Sequence, residues 1–268
     1  MRIPSSTVYL LLLLCALNNA MGGNNNDSSI IIKPNWRKGE IKKYEIVQKT
    51  KVSFYSLQTI SEISLMVRDV AANYIELEWR YDTIKELDSL NQNSGEPKKS
   101  SQLLLLNGKA IKYRTDLEGK ITEIINFPEL SSQLKPSIDS ITPAFMKSFS
   151  PNYFASYVLK DLLIFHRIYG QELKISDTII FRKEYSISPN ITLPSVSFKV
   201  TLKDSELKTG SGLTIVGKSL GIDDTKATSN FTYEFLPNSF WVKRYNLMIS
   251  TSLPNGLVTN EYDMILLP

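Results

Sequence analysis

Cysteine and histidine are almost absent from this sequence. Cys15 is the only cysteine and His166 is the only histidine. A zinc site made of these residue types needs several of them, and a histidine base needs a nucleophile and an orienting carboxylate nearby. His166 has no such partner motif beside it, so we expect a structural or surface histidine.

Signatures of common catalytic sites are also missing. The chain contains no G-x-S-x-G and no H-E-x-x-H sequence, and we expect no glycine-rich phosphate loop. If Cys15 is removed with the apolar N-terminus, the remaining chain has no thiol for a disulfide or a nucleophile. We therefore expect a protein that is not an enzyme and that needs no cofactor or metal.

The charges of the chain are nearly balanced and scattered. The sequence has 31 Lys and Arg residues against 27 Asp and Glu residues, for a formal net charge of +4. Nucleic-acid binding calls for a clustered basic face with aromatic residues between the charges. The sequence shows no such cluster, so we expect no nucleic-acid partner.

A long apolar run occurs only near the N-terminus. Val8–Leu17 is apolar, Arg2 precedes it, and Ala20 and Gly22 supply small residues after it. This pattern predicts a signal peptide over residues 1–22, and the run is about half of the roughly 20 residues that a membrane span needs. With no mature disulfides, we expect a bacterial protein secreted across the inner membrane to the periplasm, the outer membrane or the cell surface.

Cys15 has two alternative roles. As one apolar residue of the signal peptide it would be lost with that segment. As a lipidation cysteine it would anchor the mature chain to a membrane, which would be the only membrane attachment of this protein. Leu14 stands before it, where lipoprotein signals usually have a small residue, and this favours the first alternative.

The rest of the chain shows mostly the alternation of apolar and polar residues that is typical of antiparallel strands. We predict a flexible spacer over residues 23–37 and one β-rich domain over residues 38–268. Eleven strands are predicted, at about residues 40–54, 60–67, 74–81, 110–115, 121–126, 178–188, 195–202, 212–220, 227–236, 240–252 and 257–266.

Helices are predicted in the middle of the chain, near residues 127–169. The turn residues Asp116–Gly119 join two strands, and Asn126 then stands as an N-cap before a helix that Pro136 and Pro143 should break into pieces. Residues 151–169 predict a second helix, apolar nearly all round and ended by Gly170. A helix of this kind must be buried on several sides.

The order of strands, helices and strands predicts an α+β fold. We expect a curved, mostly antiparallel, half-barrel-like sheet of about eleven strands, with the helical insertion packed on its concave face. A cavity between sheet and helices would hold an apolar ligand. The residues predicted to line it are Phe154, Tyr157, Leu162, Phe165 and Trp79.

Three acidic residues are candidates for functional groups. Glu76 and Glu78 share one strand face and could form a carboxylate pair, but Arg80 shares that face, which favours an outer, solvated surface. Asp161 could be a buried functional carboxylate, but its position favours a solvent-facing stripe of the helix.

The chain from about Lys38 onward resembles a family of secreted bacterial envelope proteins of unknown function. The resemblance depends on Lys38–Glu40, the hairpin and helix at 107–130, and the turn at 217–224. It implies exposure in the periplasm or at the surface and no site residues. The strands with a helical plug are also similar to the half-barrel of LolA-type lipoprotein carriers.

Two functions are therefore expected as alternatives. The first is non-enzymatic binding of an apolar or lipid-like ligand in the sheet–helix cavity. The second is interaction with an envelope protein partner through an edge strand or the polar loop at residues 88–101, without a small-molecule ligand.

Overall fold

The structure is a computed structural model that describes residues 29–52, 55–88, 102–141, 153–174, 178–188, 191–202, 213–219, 227–253 and 256–268. The predicted signal peptide with Cys15, the first part of the predicted spacer and loop residues 89–101 lie outside the described residues.

Strands make up most of the described chain. They are β1 (Ser29–Ile31), β2 (Ile41–Val52), β3 (Tyr55–Val70), β4 (Ile75–Asp88), β5 (Ala110–Thr115), β6 (Ile121–Ile124), β7 (Glu172–Lys174), β8 (Thr178–Ser188), β9 (Ile191–Leu202), β10 (Leu213–Ser219), β11 (Ala227–Phe235), β12 (Val242–Leu253) and β13 (Gly256–Leu266). The helices are a 3-10 helix (Gln102–Leu106), α1 (Phe127–Ile141), α2 (Tyr153–Val158) and α3 (Lys160–His166).

Eleven strands form one antiparallel sheet in the order β6-β5-β4-β3-β2-β13-β12-β11-β10-β9-β8. Each half of the sheet is a meander of strands that follow one another in sequence. The pairing of β13 with β2, with Tyr262 opposite Gln48, joins the two halves. The first long strand and the last strand of the chain therefore lie side by side in the middle of the sheet.

The sheet is strongly curved. Its two edge strands, β6 and β8, have Cα atoms within 8 Å of each other. Eleven strands spaced about 4.8 Å apart would put these edges about 48 Å apart in a flat sheet. The sheet must therefore curl back on itself, although no hydrogen-bonded ladder joins β6 to β8 among the described residues and the barrel stays open.

The prediction of a large, mostly antiparallel sheet combined with helices is confirmed, but the strand total differs. The described residues contain thirteen strands, because β1 and β7 pair in a separate two-stranded sheet. Three-residue strands are too short to show alternation in a sequence. The folded chain also begins before residue 38: Ile32 and Trp36, in the predicted spacer, are buried.

Helix α1 is continuous through Pro136, where the sequence predicted a break. Pro136 faces solvent, so the carbonyl that loses its helical partner can bond to water. One side of α1 packs on the core, since Leu130, Leu134 and Ile138 are buried. Asn126 begins α1 as predicted, since its carbonyl accepts from the Leu130 amide at 3.0 Å. Its side-chain amide instead donates to the Ala110 carbonyl of β5.

The second predicted helix is divided into α2 and α3. Leu159, between them, has φ −97° and ψ 2°, outside the helical range. The turn after α3 ends at Gly170 with a positive φ of 67°, as expected for a helix stop.

Helix α3 lies between the two halves of the curved sheet. Phe165 on α3 contacts Trp79 of β4 and Tyr44 of β2 in one half, and the Tyr233 hydroxyl of β11 in the other half donates to the Ile164 carbonyl. We call the sheet face that packs against α3 the inner face. It is built by strict alternation, with Ile75, Leu77 and Trp79 all buried on it.

Candidate functional site

A packed group of five aromatic residues fills the centre of the molecule. We call it the aromatic cluster; its members are Trp36, Trp79, Phe165, Tyr169 and Trp241. The Trp36 and Trp241 rings stack at 4.4 Å, and the Phe165 and Trp79 rings meet edge-on at 5.7 Å. These distances are those of close aromatic packing, so this part of the interior is filled by side chains.

His166 attaches α3 to the β5–β6 hairpin. Its Nδ1 lies 2.9 Å from the Gly119 carbonyl and its Nε2 lies 2.8 Å from the Tyr113 hydroxyl. A carbonyl can only accept, so Nδ1 carries the hydrogen and Nε2 accepts from Tyr113. His166 is fully buried, and its role in the described structure is to position α3.

The five predicted lining residues lie on β4, α2 and α3. Trp79 and Phe165 belong to the aromatic cluster, and Leu162 is fully buried on α3. Phe154 on α2 packs against Phe127 of α1 with ring centroids 5.9 Å apart, and Tyr157 is half-buried. Their role in ligand binding stays a prediction.

Asp161 is buried, which corrects the prediction of a solvent-facing position. Only 1% of its surface is exposed. The Tyr81 hydroxyl donates to Oδ2 at 2.9 Å, and the Gln48 amide donates to Oδ1 at 3.3 Å. The donors come from β4 and β2, which the sequence could not show to be neighbours of α3.

The surroundings of Asp161 act on the pKa values of the groups around it. Burial raises the pKa of the Asp161 carboxyl above its ordinary value, against the lowering effects of Lys160 and Tyr81. Burial, and then the charge of Asp161, raise the pKa of the Tyr262 phenol. Both shifts have the same cause, since a charge is costly where water is excluded.

A small pocket opens beside Asp161, on the inner face of β2, β13 and β12. Its volume is about 160 Å³. We call it the Lys160 pocket; its lining residues are Gln48, Lys49, Thr50, Lys160, Leu247, Ile249, Asn260, Glu261 and Tyr262. It combines apolar side chains from β12 with polar side chains from β2 and β13.

Hydrogen bonds fix the polar side of the Lys160 pocket. The Lys160 ammonium donates to the Gln48 side-chain carbonyl at 2.9 Å and lies 5.6 Å from the Tyr262 ring centre. Thr50 donates to Asn260 at 2.8 Å across the β2–β13 pair. Gln48 therefore links the ammonium of Lys160 to the carboxylate of Asp161.

The Lys160 pocket was not predicted from the sequence. Gln48, Thr50 and Asn260 occupy inner-face positions in strands whose other inner residues, such as Ile46 and Met264, are apolar and buried. Polar residues that interrupt an apolar alternation were the signal. The register of β13 on β2, which places them side by side, is not visible in the sequence.

Glu78 is buried on the outer side of the sheet, which corrects the prediction of a solvated face. It is 3% exposed because Arg68 and Arg80 cover it, at 2.5 Å and 3.1 Å from its carboxylate oxygens. Glu76 pairs instead with Arg114 at 3.1 Å. Arginines therefore hold each of the two carboxylates, and this arrangement gives neither of them the role of a free acid or base.

Residues 212–219 match the letters G-x-x-x-x-G-K-S of a phosphate loop, which the sequence-based expectation overlooked. In the structure Leu213–Ser219 is strand β10, with Lys218 paired to Lys199 on one side and to Asn230 on the other. A phosphate loop needs irregular backbone that leads into a helix. Paired strand residues cannot adopt that shape.

No group of three or more His, Cys, Asp or Glu residues among the described residues could hold a metal ion. No helix in the described part of the chain combines the length and the apolar character that crossing a membrane requires.

Comparisons with known proteins show a likeness in fold and no relative in sequence. No family model and no curated protein matches the chain. A solved structure described as "lipid-protein interactions in lipovitellin" is similar in fold, with a TM-score of 0.52 and 10% sequence identity. The match covers 87% of this chain and 26% of the lipovitellin chain, so this chain spans about a quarter of that protein's length. At this identity the likeness shows the fold alone: a large antiparallel sheet with helices, similar to part of lipovitellin.

Proposed function

We propose that this protein binds an apolar or lipid-like ligand against the inner face of its curved sheet. The observation that carries the proposal is the apolar inner face itself, which runs through both halves of the sheet. Its buried members include Leu65, Leu77, Ile215, Phe231 and Tyr245. The fold likeness to a protein studied for its lipid–protein interactions supports the same function.

The proposed ligand would lie beside the aromatic cluster, not within it. The cluster rings are in contact, which leaves no room for a ligand among them. Helix α2 carries Phe154 and the half-buried Tyr157. We propose these two residues as ligand contacts, and we assign Trp79, Leu162 and Phe165 to the packed base on which the site is built.

Native mass spectrometry tests the proposal. The protein is purified from its own host, and its native mass is compared with its denatured mass. We expect an additional non-covalent mass in the native spectrum. We also expect a hydrophobic fluorescent probe to bind the delipidated protein saturably, because an apolar site of defined size holds a limited amount of ligand. A bare native mass together with unsaturable probe binding would contradict the proposal.

Tyr157 and Tyr74 provide a matched pair of variants. Both are half-buried tyrosines, but Tyr74 lies under Arg114, 4.8 Å from its guanidinium, away from the proposed site. We expect Tyr157→Ala to weaken probe binding by about tenfold, the effect of losing about 1.4 kcal/mol of contact. Tyr74→Ala should leave the affinity unchanged.

We further propose that the protein is exported to the cell envelope and has no catalytic activity. The apolar run Val8–Leu17 supports export. The denatured mass of the same sample tests it: a chain beginning near residue 21 or 23 supports cleavage of a signal peptide. A mass that includes acyl groups on Cys15 supports a lipid anchor, and an intact N-terminus without acylation would contradict export by this route.

The alternative function as an envelope interaction protein has less support. The predicted loop, residues 88–101, lies outside the described residues except for Asp88, which ends β4. The two edge strands β6 and β8 come within 8 Å of each other. Edges that face one another at this distance offer little room for a strand from a partner. We therefore favour ligand binding.

A further inference from the structure

We propose that the Lys160 pocket binds the anionic head group of a single-chain amphiphile, with the Lys160 ammonium as its partner. This inference rests on the proposed function, because it assigns the polar end of a ligand whose apolar part would lie on the inner face. It names the ligand class as amphiphiles with a carboxylate or phosphate head.

The ammonium of Lys160 has donors to spare. A lysine ammonium can donate three hydrogen bonds, and Lys160 gives one to Gln48 at 2.9 Å. It forms no ion pair with a carboxylate of the described residues, in contrast to Lys51, which pairs with Glu261 at 2.9 Å. Gln48 holds the Lys160 side chain over the pocket without neutralising its charge.

The charges around the pocket favour an anion. Among the lining residues, Lys160 brings its charge to the inner face. Lys49 and Glu261 alternate with Gln48 and Tyr262, so their side chains lie on the outer face, where Glu261 pairs with Lys51. Asp161 lies below, but Tyr81 and Gln48 occupy its oxygens. Burial also raises its pKa and so favours its neutral form. The groups that face the pocket therefore carry a net positive charge.

The size and the lining of the pocket limit what it can hold. Its volume of about 160 Å³ is below the roughly 300–1,000 Å³ of pockets that enclose a whole small-molecule ligand. Leu247 and Ile249 of β12 form its apolar side. A head group and the first few carbons of an alkyl chain fit this combination, and the remaining chain must lie outside the pocket.

Isothermal titration of the delipidated protein with decanoate and with decanol tests the inference. The two probes have equal chain lengths and differ in the charge of the head group. We expect the wild type to prefer decanoate and Lys160→Met to lose about tenfold in decanoate affinity, while its decanol affinity is unchanged. Lys160→Arg should retain decanoate binding.

Lys43→Met is the matched control, because Lys43 is an exposed lysine on the outer side of β2. This variant should bind both probes with the affinity of the wild type. Equal decanoate affinity in the wild type and Lys160→Met would overturn the head-group assignment, and decanol binding would then leave the proposed function standing. Binding of neither probe by the wild type would contradict both. A titration with decyl phosphate in place of decanoate shows which anion the pocket prefers. The preferred head group is that of the probe whose binding depends on Lys160 and has the higher affinity.

Discussion

At the scale of single residues, Asp161 shows how burial changes the meaning of a polar side chain. On its helix it follows Lys160 and precedes an apolar run, a position that suits a solvated stripe. In the folded protein Tyr81 and Gln48 reach it from two strands. Carboxylates that are buried and hydrogen-bonded in this way are sensitive to the loss of a single partner.

The Tyr81 hydroxyl can be tested against a second buried phenol. Tyr81→Phe removes a donor to the Asp161 carboxylate, and we expect it to lower the free energy of unfolding by roughly 1.5–3 kcal/mol. The Tyr44 hydroxyl is buried without a hydrogen-bond partner among the described residues. Tyr44→Phe should therefore be neutral or stabilising. Urea denaturation of the two variants checks this, and equal losses would show that Tyr81 is not a specific partner of Asp161.

The pH dependence of stability provides a second test at Asp161. Burial raises its pKa in the folded state, so the folded protein binds more protons than the unfolded protein above the ordinary value of about 4. Its contribution to stability therefore falls as the pH rises through the raised pKa. The side chain of the Asp161→Asn variant cannot ionise. We therefore expect the unfolding free energy of the variant to rise relative to that of the wild type from pH 4 to pH 8. A difference that is independent of pH would contradict this expectation.

At the scale of elements, the β5–β6 hairpin is the part whose turn chemistry was most visible in the sequence. The Asp116 carboxylate accepts from the Glu118 and Lys120 amides, both at 2.9 Å, and Gly119 has a φ of 84°. These are the local interactions that favour Asp and Gly in turns. The sequence did not show that His166 donates to the Gly119 carbonyl. Through this hydrogen bond the turn contacts α3 and helps to position it.

Substitutions at Gly119 and Gly108 distinguish the cost of backbone strain from the cost of steric crowding. Both have positive φ values, but a Cβ at Gly119 would lie 2.8 Å from the Tyr169 Cβ, and one at Gly108 would have no neighbour within 4 Å. We expect Gly108→Ala to cost about 1–2 kcal/mol for the left-handed backbone alone. Gly119→Ala should cost roughly 1–3 kcal/mol more, because packed atoms must move. Thermal or urea unfolding measures both, and equal costs would mean that the turn shifts freely away from Tyr169.

At the scale of the whole molecule, the segment from Ser29 to Trp36 packs against the chain that follows α3 and against the second half of the sheet. Strand β1 pairs with β7 directly after the α3 turn, and Trp36 stacks on Trp241. A short N-terminal segment thus holds α3 and the second half of the sheet together. A flexible spacer, as the sequence predicted here, would make neither of these contacts.

Two shortened chains test how much these N-terminal contacts stabilise the protein. A chain that begins at Ser29 keeps β1 and Trp36, and a chain that begins at Lys38 loses both. We expect the shorter chain to be less stable by about 3–5 kcal/mol, the usual cost of removing a buried tryptophan. Trp36→Ala in the longer chain should reproduce most of that loss in urea denaturation. Equal stability of the two chains would show that residues 29–37 are dispensable.

The sequence by itself determined the alternation of the long strands and the chemistry of the β5–β6 turn. Alternation at Ile75, Leu77 and Trp79 assigned an inner face, and Asp116 and Gly119 assigned a turn, because these signals depend only on neighbours along the chain. Only the tertiary structure decided which distant residues meet. The pairing of β13 with β2 put Asn260 beside Thr50, and the curvature brought Gln48 and Tyr81 to Asp161. Burial of Asp161 and the Lys160 pocket follow from contacts between residues more than 70 positions apart, and no pattern within one segment encodes such contacts.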